Sequence, residues 1–288
     1  MKRELVLTAV TCALALLLTG CGTVPPTKWF VRRGPTYNAT MPTVDRVGVF
    51  VDAAIAYDRV DTNYFVIEDS LLAISNLVRE AAADLKAKGY EVAFVEAPFV
   101  GAFKHSPQPF AVAEKRGDKP AGRSSPFQVV DGWKEDAAYR DALVKAMRDI
   151  LGAVENRGEL PTDQLRSDEG TRGALQAIAD KRQIRYLFLV HGHGTIVSGG
   201  KQTGQAIGTA LLTGVITLGN AVVVAHNTST LASYVSLIDL HNAEVVWCNS
   251  LGLPGLNPAN ASHYKGRWAH NVLYWLPPRG QLEPPQPK

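Results

Sequence analysis

Two short apolar runs joined by one long amphipathic segment constrain this chain more than any other feature. "DRVGVFVD", Asp45 to Asp52, is bounded by charge and reads as a buried strand. From Glu68 to Lys88, the residues Leu71, Ile74, Val78, Ala81 or Ala82 and Leu85 recur on one face of a helix. Asp69 or Ser70 stands where a side chain caps the first turn. Lys86 and Lys88 suit the negative end, and Gly89 stops the helix. "YEVAFVE", Tyr90 to Glu96, is strand-like again. A strand, a helix and a strand in that order predict a right-handed crossover between parallel strands.

The remaining pattern extends this unit into one domain. Pro98 to Asp131 carries five prolines and reads as a long loop, functional or mobile. Its Arg116-Gly117-Asp118 tripeptide is the kind that exposed charged turns produce readily. Two helices follow, Glu135 to Val154 and Thr171 to Lys181, the second feeding the strand "IRYLFLV", Ile184 to Val190. Leu231 to Leu240 and Glu244 to Leu251 alternate as strands and form a hairpin around the turn at 241–243. A last helix runs from Gly266 to Leu276 and ends at Pro277-Pro278. The expected fold class is α/β: a single mixed-sheet domain over residues 44–278, with helices packed on the sheet and a C-terminal β-hairpin plus helix. Residues 279–288 are proline-rich and expected as a disordered tail.

The N-terminus places this domain. Lys2 and Arg3 precede an apolar run from Leu5 to Leu18 that is short for a membrane span, and "LTGC", Leu18 to Cys21, follows. This resembles the bacterial lipobox. The resemblance implies a signal peptide over 1–20 and acyl chains, palmitate among them, on Cys21, which would hold the chain to a membrane. Gly22 stands where an aspartate favours retention in the inner membrane, so the resemblance points to the outer membrane with the domain facing the periplasm. Residues 21–43, with Pro25, Pro26, Pro35 and Pro42, read as a flexible tether. Within it "KWFVRR", Lys28 to Arg33, suits either lipid headgroups or a packed strand end. Cys12 leaves with the signal and Cys21 is acylated, so Cys248 has no cysteine left to pair with. Its neighbours Val245, Val246 and Trp247 make it a small buried hydrophobe. Beyond residue 20 the chain holds 28 basic and 26 acidic residues with no basic stripe, which argues against nucleic acid as a partner.

The hairpin "YVSLIDLHNAEVVWCNSL", Tyr234 to Leu251, carries a second resemblance. It is similar to the final hairpin of the group of periplasmic lipoprotein domains that includes CsgG, the TolB N-terminal domain and the lipoprotein activators of penicillin-binding proteins. Ala243 stands where that group usually has glycine before the acidic residue. The resemblance implies a non-catalytic binding, assembly or regulatory role in the cell envelope, with an envelope protein as partner. A homo-oligomer, as in a secretion pore, is the alternative it raises.

One stretch looks like chemistry: "LVHGHGTIVSGGKQTGQAIG", Leu189 to Gly208. A P-loop ending at Lys201 would need glycine at 195 and a hydroxyl residue at 202, where the chain has Thr195 and Gln202. A dinucleotide fingerprint would need glycine at 197, which is Val197. An esterase oxyanion loop would need a G-x-S-x-G elbow, which occurs nowhere in the chain. No catalytic or cofactor-binding residue is therefore expected, and no cofactor. The candidate metal ligands are His191 and His193, which share a face if the strand continues, and a third ligand would have to come from elsewhere, such as His226 or His241. That pair keeps a lipid-anchored metal-dependent hydrolase as a further alternative. Otherwise the histidines are solvated at a strand end, and the glycines turn the chain into the uncharged span Gln202 to Ala225. Small-residue spacing there favours a close-packed helix, or a hairpin lent to a pore.

Overall fold

The computed structural model describes residues 31–58, 63–101, 110–123, 128–130, 137–155, 160, 164–198 and 229–284. Cys21, the signal segment and the uncharged span 202–225 lie outside these residues. The strands are β1 (Arg32–Arg33), β2 (Arg46–Asp58), β3 (Asn63–Val66), β4 (Glu91–Glu96), β5 (Phe99–Val100), β6 (Phe110–Ala113), β7 (Ala121–Arg123), β8 (Gln128–Val129), β9 (Tyr186–Val197), β10 (Thr230–Asp239) and β11 (Glu244–Pro254). The helices are α1 (Tyr37–Thr40), α2 (Ile67–Ala87), α3 (Ala137–Glu155), α4 (Gln164–Ser167), α5 (Glu169–Arg182) and α6 (Arg267–Val272).

The main sheet runs β1-β11-β10-β9-β2-β3-β6-β7, with β4 also on β2. It is mixed: β2 is parallel to β4 and β9, whereas β9, β10 and β11 are antiparallel. Both faces are covered, so the central strands are apolar on both sides rather than alternating. Val47, Val49, Val51 and Ile55 of β2 face Leu77 and Leu85 of α2, with Trp268 and Val272 of α6 in the same core. Phe50 of β2 and Leu187 and Leu189 of β9 face Leu143, Met147 and Ile150 of α3 and Ile178 of α5. Trp247 and Cys248 are buried in β11, as their apolar context predicts. No helix among the described residues is long and apolar enough to cross a membrane.

Helix α2 matches its predicted span within a residue, and Gly89 ends it at φ +88°. Its expected cap does not form. Ser70 Oγ instead accepts from Ile55 N at 2.9 Å and donates to the Val66 carbonyl at 2.7 Å, tying the helix to β2 and β3. Asp69 receives both forks of Arg116 at 2.6 and 2.7 Å, so the Arg116-Gly117-Asp118 turn is docked on the helix. The segment expected as a loop over 98–131 carries four short strands, two of which extend the main sheet. The last helix stops at Val272, short of the predicted Leu276.

Both chain ends of the domain also pack further than composition suggests. Residues 31–43, expected as tether, include β1 and the buried side chains of Tyr37 and Met41. In the expected tail, Arg279 N donates to Lys88 O at 2.9 Å, and Glu283 pairs with Arg33 at 3.0 Å. Ala243 adopts φ +48°, so the hairpin keeps the left-handed turn that glycine favours without having the glycine.

Strand β9 corrects the reading of the glycine stretch. It does not turn at Val190 but runs on through "HGHGTIV" to Val197. The reason is pairing on both sides: β2 matches it from Tyr186 to Val197 and β10 from Tyr186 to Thr195, satisfying the backbone throughout. A Cβ added at Gly194 would lie 2.6 Å from the Thr230 carbonyl oxygen, so this glycine allows close approach rather than a turn. Gly194→Ala should lower stability by about 1–3 kcal/mol, because the clash is with backbone that cannot rotate away. Urea unfolding checks this, and an unchanged midpoint would contradict the close-approach role.

Candidate functional site

The continuation of β9 puts His191 and His193 on the face opposite α2, inside the protein. His191 is 2 % exposed and His193 8 %, so neither is solvated at a strand end, as the sequence suggested. The two neighbouring strands bring partners to them. By register, Asp52 of β2 and Tyr234 of β10 flank His191, while Ala54 and Ala232 flank His193.

Asp52 is fully buried, and its Oδ2 lies 2.9 Å from His191 Nδ1. Its Oδ1 accepts from Gly101 N at 2.8 Å, just beyond β5. A carboxylate accepting on both oxygens assigns the His191 proton to Nδ1. The two imidazole rings stand 5.6 Å apart, edge to face, and Phe65 and Tyr234 close the cluster at 6.1 Å from His193 and 6.4 Å from His191. Burial, reinforced by the neighbouring His191, pushes the His193 pKa down to about 3, so it is neutral throughout the ordinary pH range.

Of the candidate ligands, the structure brings His191 and His193 together and leaves His241 away. His241 sits in the β10–β11 turn, beyond Asp239, which pairs with Tyr186 at the far end of β9. His226 lies outside the described residues. No three His, Cys, Asp or Glu side chains converge as a metal-ligand set among the described residues. Cys248 is buried, and burial pushes its thiol up to about 11, far from the nucleophilic thiolate. Asp52 is the residue that sequence reading passed over. Its signal is a carboxylate inside "VGVFVDAAIA": a charge placed mid-strand between apolar runs has to find a buried partner.

The arrangement is a carboxylate–imidazole pair backed by a second, neutral imidazole, enclosed in the sheet. It can hold a proton in a fixed place and pin β2, β5 and β9 together. No family model matches this chain, and no curated protein does. Among solved structures, the chain is similar to a PelC dodecamer from Paraburkholderia phytofirmans, at 12 % identity and a TM-score of 0.27, over 81 % of this chain and 86 % of that one. A likeness at that score carries no argument about this chain.

Proposed function

We propose that the protein is an outer-membrane lipoprotein, acylated on Cys21, whose periplasmic domain binds or regulates another envelope protein without chemistry of its own. The observation that supports a non-catalytic role is the enclosure of its most reactive side chains. His191, His193 and Cys248 are each less than a tenth exposed, and the last two are held in their neutral forms. A general base or nucleophile has to reach substrate, and these three side chains face the interior. The lipobox resemblance at Leu18–Cys21 supports the anchor and the location.

Cys21→Ala is expected to move the chain from the membrane fraction to the soluble fraction, or to leave an unprocessed precursor that is no longer labelled by palmitate. A Cys21→Ala chain that is still acylated would defeat the lipoprotein reading. Self-association, as in a pore subunit, is the alternative that the hairpin resemblance raises. Native mass measurement of the acylated chain in detergent tests it, and a monomer across the accessible concentrations would remove it.

A further inference from the structure

Helix α2 carries more apolar surface than the core takes up. Ile74, Leu77, Ala81 and Leu85 are buried against the sheet. A second row, Leu71, Ser75, Val78 and Ala82, lies about a quarter turn further round the helix. Leu71 is 37 % exposed, Ser75 is exposed, and Val78 and Ala82 are half-buried. Leu72, beside this row, is 47 % exposed. Large apolar side chains that stand exposed together mark a surface that another molecule covers.

The position of the row follows from what covers the other flank of α2. There Asn76 donates to the Pro258 carbonyl at 3.1 Å and Glu80 accepts from Gly266 N at 3.2 Å, so the residues leading into α6 occupy that side. The second row therefore faces away from α6, along β4. Among the described residues β4 pairs with β2 alone, and its Val92 and Val95 are half-buried beside the row.

Spacing and charge identify what fits this flank. The row recurs at intervals of four, three and four residues, the 3.5-residue period of a seam between two helices. Glu68 and Lys86 are both exposed, in the first and last turns of α2. They are 18 residues apart, five full turns, so both project on the solvent side of the seam. A second α2 laid parallel would set Glu68 against Glu68 and Lys86 against Lys86. Laid antiparallel, it sets each against its opposite, Leu71 against Ala82 and Ser75 against Val78. Only the antiparallel arrangement is self-complementary in both size and charge, as a twofold interface requires.

We propose that a second copy of this chain docks on this flank, α2 against α2, antiparallel about a twofold axis near residues 75–78. Glu68 and Lys86 then pair across the interface at both ends of the seam. This rests on the self-association raised above and not on the acyl anchor, so the Cys21→Ala fractionation can fail without touching it.

Sedimentation velocity of the full chain in density-matched detergent, over a range of protein concentrations, tests the surface. Ser75→Glu puts a carboxylate in the middle of the seam at an exposed position, and Leu71→Glu puts one at its end. Each is expected to raise the dissociation constant at least about tenfold with an unchanged circular dichroism spectrum. Glu68→Lys and Lys86→Glu should each weaken association about tenfold, because each sets like charges together at both ends. The double variant exchanges the charges and should return to within about threefold of the native value. If Leu71→Glu alters the circular dichroism spectrum, Ser75→Glu carries the reading alone. A native chain that stays monomeric at every concentration removes self-association and this surface together. An assembly that Ser75→Glu leaves intact keeps self-association and overturns the α2 surface. Single charge reversals without effect, or a loss that the exchange does not restore, overturn the antiparallel pairing and the proposal with it.

Discussion

Asp52→Ala is expected to destabilise the domain by about 3–5 kcal/mol, because it breaks a buried pair while leaving the other partner in place. The truncation removes the carboxylate oxygen facing His191 Nδ1 and one of the two acceptors of Gly101 N, which also donates to the Ala53 carbonyl at 3.1 Å. Water cannot replace a carboxylate at a position with no exposure. Asp52→Asn should cost less, since its carbonyl still serves Gly101 and only the imidazole must change tautomer. The double variant Asp52→Leu with His191→Leu should recover much of the loss, because removing both partners also removes the cost of dehydrating them. Urea unfolding followed by circular dichroism measures all three. An Asp52→Ala loss below about 1 kcal/mol would show that the pair is not a structural tie.

The second large effect is on pH dependence. His193 titrates near 6.5 in the unfolded chain and at about 3 in the fold. The folded state keeps it neutral while the unfolded state takes up a proton. The stability contributed by its neutrality is therefore complete above pH ~6.5 and lost progressively as pH falls toward ~3. The slope is about 1.4 kcal/mol per pH unit, giving a total of about 4–5 kcal/mol across that window. Carboxylates also titrate there, so the informative quantity is a difference. Between pH 7 and pH 4 the native protein should lose about 3 kcal/mol more than His193→Leu. Parallel stability curves for the two would show that His193 is protonated in the fold.

Particular residues show how much was legible beforehand. The span of α2 follows from the spacing of Ile74, Val78, Ala81 and Leu85 and from Gly89 behind them, all local signals. The alternation from Leu231 to Leu251 marks the hairpin for the same reason. The failures are equally specific. The glycines at 192 and 194 suggested a turn, because glycine permits a turn and a close approach alike, and only their neighbours, the Leu77 side chain at 192 and the Thr230 backbone at 194, decide between them. The prolines at 35 and 42 suggested a free tether, because proline composition is the same in a linker and in a docked segment held by Glu244.

The sequence by itself determined the period of the central strands and long helices and the layers they form, and it carries the N-terminal pattern on which the proposed membrane anchor rests. These are encoded within a few turns of helix or residues of strand, where backbone geometry alone sets the repeat. Tertiary structure alone decided that His191 meets Asp52, 139 residues away, and that Thr36 meets Glu244 across 208. Those meetings depend on the register of β2 against β9 and of β1 against β11. Register is chosen by the burial of whole strand faces at once, a sum over many side chains that no single stretch contains.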